Sequence, residues 1–300
     1  MKKNNPVGNV INFSGRGKNA KDPLGKKGPP SDSKLTRIMA ITSGKGGVGK
    51  TNIVANLGFA LSQLGKKVLV LDADLGLGNM DVLLGLAPKF NISHVIMGEK
   101  EISEILIKGP GGMMILPAAS GIYELTQLSR EQQGRIFAEL NLLIEDVDIL
   151  LIDTAAGISS NVMYFNVFAH EIMVIATPEP TSITDAYALM KVLSLKYSEK
   201  KFRLIVNLAR SVQEAGYVFK QLELVSNRFL DISIDYIGHI LKDERITKSV
   251  RHQKIVSEMF PDTASTLCFF ELAKKICKLP PPDLSKGRLD NFWENFFKNE

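Results

Sequence analysis

One stretch of the chain has the residue types and spacing that bind phosphate. Residues 44–51 read GKGGVGKT and satisfy the pattern G-x-x-x-x-G-K-[ST]. Glycines let backbone N–H groups surround phosphate oxygens without Cβ atoms in the way. We expect Lys50 to reach the β- and γ-phosphates and the Thr51 hydroxyl to coordinate Mg²⁺. The predicted nucleotide-binding residues here are Gly44, Lys45, Gly46, Gly47, Val48, Gly49, Lys50, Thr51 and Asn52.

Three acidic residues follow two apolar runs of the chain. Asp72 and Asp74 end one predicted strand, and Asp153 ends another. Ligands of α/β folds bind at the carboxyl ends of strands, so these positions suit a metal site. Asp153 is the type of carboxylate that holds Mg²⁺ through water in phosphoryl-transfer sites. Such carboxylates also cap helices, and only their combination with the loop makes the pattern specific.

Short apolar runs alternate with segments of helical period from residue 37 onward. This alternation predicts an α/β fold with a doubly wound, largely parallel sheet, because the strands are apolar on both faces. The predicted strands are 38–42, 67–71, 113–116, 148–152, 172–176, 203–207 and 236–241. The predicted helices are 50–64, 130–144, 181–197, 212–229 and 262–278.

Composition excludes several other classes of protein. With 45% apolar residues among 300, the chain can bury a full core. Cys268 and Cys277 are the only cysteines, too few for a disulfide framework and wrongly spaced for zinc or iron–sulfur ligation. No apolar stretch approaches the ~18 residues of a transmembrane helix, and no signal peptide is visible at the start. We therefore expect a cytoplasmic protein.

The positive charge of the chain is concentrated at its N-terminus. Nine Lys and Arg against two Asp give residues 1–37 a surplus of seven charges, so the other 263 residues sum to −2 against the total of +5. This balance does not indicate a basic nucleic-acid-binding face on the body of the protein. We expect residues 1–36 to form a flexible arm, either a solubilising tail or a partner-binding one.

The last residues of the chain predict an amphipathic helix behind a proline linker. Five large apolar side chains occur at i, i+3, i+4, i+7 and i+8, which places them on one stripe. They are Leu289, Phe292, Trp293, Phe296 and Phe297. This pattern favours a helix that lies in the membrane surface. The alternative is that the stripe docks on the protein's own body.

These motifs together resemble the MinD/ParA class of ATPases with a deviant Walker A loop. The resemblance rests on Lys45 inside the loop and on the stretches LDADLGLGNMD (71–81), DTAAG (153–157) and TPEPTS (177–182). It implies that Lys45 reaches the partner's phosphates across an ATP-bound homodimer and that Asp74 orients the attacking water. It also implies that Asp72 and Asp153 support the metal.

The resemblance extends to the residues around the base. It implies that Asn207 recognises adenine and that Pro178 lies near the base. An amide pairs a donor and an acceptor with the N6/N7 edge of adenine, whereas a carboxylate would suit guanine. ATP and Mg²⁺ are the expected cofactors. The implied domains are an N-terminal arm (1–36), a P-loop ATPase domain (37–279) and a linker with a membrane-targeting helix (280–300).

Within that class the chain is most similar to the flagellar number regulators, the FlhG or FleN family of MinD-like proteins. The supporting stretches are GLGNMDVLLG (76–85), LPAASG (116–121) and DTAAGIS (153–159). The resemblance implies a slow ATPase that binds the inner face of the cell membrane reversibly. Its implied partners are the GTPase FlhF, flagellar switch-complex proteins or a flagellar transcription activator. The arm lacks the Asp-Gln-Ala motif that stimulates FlhF in many relatives.

Other functions of the same fold remain open from sequence. A DNA-segregating ParA-type ATPase would use the basic arm on nucleic acid, and a MinD-type protein would act at the division site. A metabolic ligase or metal-cluster carrier is a third candidate, without substrate residues to support it. The charge of the body and the terminal stripe favour the flagellar regulator.

Overall fold

Eight strands form a single sheet in the computed structural model, which describes residues 35–74, 79–91, 94–95, 97–117, 139 and 141–283. The order across the sheet is β3-β4-β2-β5-β1-β6-β7-β8. The strands are β1 (Arg37–Ser43), β2 (Val68–Ala73), β3 (Ile107–Lys108), β4 (Met114–Leu116), β5 (Ile149–Ala156), β6 (Glu171–Ala176), β7 (Lys201–Ala209) and β8 (Ser233–Leu241).

Helices connect these strands within the described ranges. They are α1 (Lys50–Gln63), α2 (Met80–Leu83), α3 (Ile102–Ile105), α4 (Ser160–Phe168), α5 (Pro180–Tyr197), α6 (Val212–Phe229), α7 (Glu244–Arg251), α8 (Val256–Met259) and α9 (Ala264–Cys277). A single 3₁₀ turn, Pro110–Gly112, precedes β4.

The sheet is parallel except at one edge, which confirms the predicted fold class. β1 pairs in parallel with β5 on one side and β6 on the other, whereas β3 runs antiparallel to β4. The central strands are buried on both faces, as their continuous apolar runs predict. Because parallel strands end at the same edge, the residues after β1, β2 and β5 come together there.

Two layers of helices cover the sheet. One apolar cluster joins α1 and α9 to the sheet through residues such as Leu57, Leu61 and Leu272. A second cluster joins α5 and α6 to the strands on the β6–β7 side through residues such as Leu189, Leu193 and Val218. Burial of these side chains at roughly 1.5–3 kcal/mol each is the main stabilising contribution.

Buried charges fix the start of the linker after α9. Glu171 is the first residue of β6 and is 8% exposed, between the guanidinium groups of Arg37 and Arg203. Arg37 also donates to the carbonyl oxygens of Leu279 and Pro280. Removing one partner from such a buried pair costs about 3–5 kcal/mol. The chain therefore leaves the fold at a fixed position beside β1.

The predicted elements agree with the observed ones within a few residues where the structure describes them. The elements without a counterpart in the prediction are β3, α2, α3, α4, α7 and α8. Most of the predicted helix 130–144, the arm 1–34 and the segment 284–300 lie outside the described residues. Among the helices that can be described, none has both the length and the apolar character needed to cross a membrane.

Candidate functional site

The loop between β1 and α1 has the backbone geometry of a phosphate cradle. Gly47 and Gly49 have φ values of 76° and 93°, and Gly49 is the N-cap of α1. These left-handed conformations strain any residue with a Cβ atom. At Gly44 a Cβ atom would lie 2.1 Å from the Asp185 carbonyl oxygen. The glycines therefore occupy positions that other residues cannot adopt without a shift of the backbone.

Lys50 is the first residue of α1 and points into this loop. It is 9% exposed, and its Nζ donates to Ser43 Oγ at 3.0 Å. Burial lowers the pKa of the Lys50 ammonium, while the charges of Asp153 and Asp74 act in the opposite direction. Among the described residues no carboxylate forms an ion pair with Lys50, and a buried ammonium at the start of a helix, where the helix dipole is also positive, is suited to bind an anion.

Asp153 is a buried carboxylate whose hydrogen-bonding capacity is incompletely used. It lies opposite Asp72 in the β2–β5 register, and the Thr51 hydroxyl donates to it. Its Oδ1 atom is buried without a hydrogen-bond partner among the described residues. Burial raises the pKa of Asp153 to about 7, despite the Thr51 hydrogen bond. A cation bound here would remove this cost, because an opposite charge favours the ionised carboxylate.

Asp72 and Asp74 lie at the end of β2 beside Asp153. The backbone N–H groups of Asp74 and Met80 donate to the Asp72 carboxylate at 3.2 and 3.3 Å. Burial nevertheless raises the pKa of Asp72 to about 6. Asp74 is half-buried and near enough to favour the charged form of Lys50.

Mg²⁺ fits the side chains at this edge of the sheet. A hydroxyl and carboxylates are the hard oxygen ligands that it prefers, and it usually keeps several waters and substrate phosphates as further ligands. Within the described ranges, no group of three or more His, Cys, Asp or Glu side chains could hold a metal ion without other ligands.

Asn207 closes the other end of the loop. Its Nδ2 donates to the Val48 carbonyl oxygen at 2.7 Å, and a Cβ atom at Gly49 would lie 2.6 Å from Nδ2. A cavity of about 280 Å³ opens beside this contact. Its lining residues are Gly47, Gly49, Asn52, Asn207, Leu208, Ile246, Thr247, Val250, Arg251 and Phe269. A flat aromatic base of nucleotide size fits such a partly apolar cavity.

The structure brings together most of the predicted site and adds residues from α7. Ile246, Thr247, Val250 and Arg251 line the cavity but belong to no sequence motif. The one signal for them is that α7 follows the end of β8, at the same edge of the sheet. Pro178 lies half-buried between β6 and α5 and is not among the cavity-lining residues.

Lys45 points away from the cradle in this single chain. Its ammonium group contacts the Glu179 carboxylate and the Thr181 hydroxyl, the latter at 2.9 Å, at the start of α5. About a third of the Lys45 side chain is exposed. The five predicted membrane-binding residues, 289–297, lie outside the described residues.

Known proteins resemble this chain over most of its length. A model of an AAA domain family matches residues 36–206. The antiactivator FleN of Pseudomonas aeruginosa is 43% identical over 263 residues, which cover 88% of this chain and 94% of FleN. The flagellum site-determining protein YlxH of Helicobacter pylori is 35% identical over 228 residues, or 76% of this chain and 77% of YlxH.

Septum site-determining MinD proteins are also similar. MinD of Bacillus subtilis is 30% identical over 247 residues, which cover 81% of this chain and 89% of MinD. Among solved structures, MinD of Pyrococcus horikoshii complexed with Mg-ADP has a TM-score of 0.64 at 24% identity. That match covers 81% of this chain and 97% of the solved chain, and it shows a shared fold.

Proposed function

The chain belongs to the MinD-like ATPases of the FleN and FlhG type, and from this premise we propose that it is an ATP-hydrolysing switch that regulates flagellar number and placement. The observation that carries the proposal is the unpartnered, buried Asp153 Oδ1 beside Lys50 and the Gly44–Gly49 loop. This arrangement requires both an anion and a cation, which a magnesium-bound nucleotide supplies together. The MinD of P. horikoshii was solved in complex with Mg-ADP, which supports the same ligand pair.

The residues of the loop and of the neighbouring strand ends divide the work on ATP. Backbone N–H groups of residues 44–51 and the Lys50 ammonium bind the phosphates, and Asn207 with the cavity beside it holds the base. Thr51 and Asp153 hold magnesium, with Asp72 in support. Bound magnesium neutralises charge that develops on the phosphate oxygens. Asp74 accepts a hydrogen bond from the attacking water and orients it.

Lys45 acts in the proposed homodimer rather than in the single chain. Its present partners, Glu179 and Thr181, lie on the surface at the start of α5, so the side chain can exchange them for another anion. In the dimer the ammonium group contacts the phosphates held by the partner. Formation of the dimer is then linked to the γ-phosphate, and hydrolysis by a slow turnover sets its lifetime.

Membrane association is assigned to the end of the chain. The stripe Leu289, Phe292, Trp293, Phe296 and Phe297 lies beyond a linker that Arg37 holds at Leu279 and Pro280. Two such stripes in a dimer bind one surface with greater avidity than one, by roughly 10²–10⁴. The protein is thus cytoplasmic as a monomer and reversibly bound to the inner face of the cell membrane as a dimer.

The name of the P. aeruginosa relative favours one class of partner. That protein is called an antiactivator, so we place a flagellar transcription activator first among the partners of this chain. The GTPase FlhF and flagellar switch-complex proteins are the other proposed partners. The proposed domains are an arm (1–36), an ATPase domain (37–279) and a linker with a membrane-targeting helix (280–300).

Phosphate release from ATP by the purified full-length chain tests the proposed activity. Wild type is expected to hydrolyse ATP in the presence of Mg²⁺ and to stop when the metal is chelated. Lys50→Ala should lose activity because the phosphates lose their buried cation. Lys196→Ala, which changes an exposed lysine of α5, serves as the matched control and should retain it. Wild-type protein that hydrolyses no ATP under these conditions would contradict the proposal.

A further inference from the structure

Five cations follow one another at intervals of three residues along α7 and its flanks. We call this set the basic ladder: Lys242, Arg245, Lys248, Arg251 and Lys254. All five are exposed. Residues three apart on a helix are neighbours on its surface, so Arg245, Lys248 and Arg251 form one band along α7. The flanking lysines extend that band at both ends.

Among the residues that the structure describes, no counter-charge contacts the basic ladder. Within the described part of the chain, none of its five members forms an ion pair. The nearby Asp243 carboxylate accepts hydrogen bonds from the Arg245 backbone N–H and from Ser265 Oγ, as the cap of α7. Like charges at a spacing of three or four residues destabilise a helix. The Lys248 ammonium lies 5.7 Å from the centre of the Phe260 ring, but no carboxylate contact in the described part of the chain offsets the repulsion along the band.

The dipole of α7 accounts for only part of the basic ladder. Lys248 and Arg251 lie in the last turn, where cations are favourable. Arg245 lies in the first turn and Lys242 precedes the N-cap Asp243, where a positive charge opposes the dipole. A contribution to helix stability therefore does not explain these two residues, whereas an anionic partner outside the chain explains all five.

The terminal stripe lacks the charge that membrane attachment usually requires. Around it, Lys286, Arg288 and Lys298 balance Asp290, Glu294 and Glu300. An anionic bilayer therefore adds little to the binding of the stripe itself. One weak hydrophobic anchor gives marginal binding, and stable attachment takes a second signal such as a polybasic patch.

We propose that the basic ladder is this second signal and binds the phosphate headgroups of anionic lipids. This inference rests on the membrane association given under Proposed function and assigns it a lipid class. The exposed lysines at the end of α9, Lys274 and Lys278, add two further positive charges near the start of the linker.

Helix α9 connects the neighbourhood of the basic ladder to the start of the linker. Ser265, near the start of α9, donates to Asp243 Oδ2 at 2.9 Å, so the two helices begin side by side. From there the 14 residues of α9 span about 21 Å to the linker.

Nucleic acid is the other polyanion that a basic band could bind. The net charge of −2 over residues 38–300 disfavours it, because a duplex-binding domain usually carries a large positive surplus. An apolar stripe at the end of the chain also has no use in contacts with phosphate backbones. The lipid surface accounts for both features at once.

Vesicle co-sedimentation of the full chain with ATP tests the proposal. One set of vesicles contains phosphatidylcholine alone, and the other also contains phosphatidylglycerol. The variant is Lys242→Glu/Arg245→Glu/Lys254→Glu, which leaves the cavity-lining Arg251 and the ring contact of Lys248 unchanged. The control is Lys191→Glu/Lys196→Glu/Lys220→Glu, three exposed lysines on α5 and α6. ATP turnover in solution should be unchanged in both proteins.

The wild type should prefer the anionic vesicles, and the ladder variant should lose that preference. Each basic residue contributes about fivefold, so the loss of three positive charges alone should weaken binding to anionic vesicles by at least about 100-fold, and the control should bind like wild type. If the ladder variant binds anionic vesicles as well as wild type does, the ladder is not the lipid-binding surface. Membrane association itself would remain possible. Wild type that sediments with neither set would refute membrane association itself.

A gel shift with duplex DNA completes the test. If wild type shifts DNA, and the ladder variant loses that shift but sediments with anionic vesicles like wild type, the basic ladder is a nucleic-acid surface and the proposal is wrong. The lipid assignment is supported if neither protein shifts DNA and only the ladder variant loses its co-sedimentation with anionic vesicles.

Discussion

The ammonium group of Lys45 and the carboxylate of Glu179 form an ion pair that links the phosphate loop to the start of α5. The Thr181 hydroxyl is a second acceptor for the same group. In the proposed dimer Lys45 contacts the partner's phosphates instead, so this pair competes with dimerisation. On the proposed mechanism, this contact in the single chain would have to break before the dimer forms.

We expect Glu179→Gln to dimerise at a lower ATP concentration than wild type. Glu179 is 63% exposed, so the pair is a surface ion pair worth at most about 1 kcal/mol. That limits the gain to about fivefold in the midpoint of an ATP titration followed by size-exclusion chromatography. Glu258→Gln, an exposed glutamate on α8, is the control and should leave the midpoint unchanged. A midpoint of Glu179→Gln at or above that of wild type would show that the pair does not oppose dimerisation.

Gly49→Ala should abolish nucleotide binding. The added Cβ atom would lie 2.6 Å from Asn207 Nδ2, on a backbone with φ of 93° that costs an L-residue roughly 1–2 kcal/mol. Calorimetric titration with ADP measures the loss. Gly216→Ala changes a glycine of α6 with open space around it, and it should bind ADP like wild type. Normal ADP binding by Gly49→Ala would remove the steric argument for this glycine.

The base cavity should select adenine over guanine. Asn207 donates to Val48 and lines the cavity, and its amide offers both a donor and an acceptor to the base. Calorimetry should show tighter binding of ADP than of GDP. Asn207→Asp should weaken ADP binding because a carboxylate would face the Val48 carbonyl in place of the donated bond. Tighter binding of GDP by the wild type would contradict the assignment.

Asp153→Asn should raise the stability of the protein without nucleotide and metal, and only at high pH. The folded pKa of Asp153 is about 7, above an unfolded value of about 3.9. The folded state therefore binds the proton more tightly, and this contribution to the unfolding free energy is lost as the pH rises from about 4 to 7. Asparagine stays neutral at every pH, so above pH 7 the unfolding free energy of the variant should exceed that of wild type by up to about 4 kcal/mol.

Thermal denaturation at two pH values checks this prediction. At pH 8 the melting temperature of Asp153→Asn should exceed that of wild type by several degrees, because ~1 kcal/mol shifts a domain of this size by about 2–4 °C. At about pH 4, near the pKa of an Asp in the unfolded state, the two proteins should have the same melting temperature. Asp262→Asn, at an exposed site, should match wild type throughout. A variant that is less stable than wild type at pH 8 would show that the buried carboxylate is already compensated.

The central strands and the loop could be predicted from sequence because their signals are local. Strands buried on both faces read as apolar runs, and the spacing within residues 44–51 places Lys50 and Thr51 at the start of a helix. The carboxylates Asp72 and Asp153 follow from the same logic, since parallel strands end at one edge. These features need no knowledge of which segments meet in space.

The remaining elements have no local signal. β3 has two residues, too few for any periodicity, and α4 is apolar on most of its surface, so it shows no amphipathic pattern. α7 is largely charged and offers few apolar residues to a helical period. Its cavity-lining residues are separated from the loop by about two hundred positions, and the partner of Lys45 by more than one hundred. Only the folded sheet brings them together.

The mass of the protein in solution with Mg-ATP tests the central claim most directly. Asp74→Ala, measured by light scattering, should have twice the 33.1 kDa chain mass with ATP and the single mass with ADP, because it binds ATP but turns it over about 10²–10⁴-fold more slowly. Lys45→Ala should remain at the single mass with either nucleotide. An Asp74→Ala protein with the same mass in ATP and ADP would contradict the nucleotide-dependent dimer, and normal turnover by it would remove the role given to Asp74.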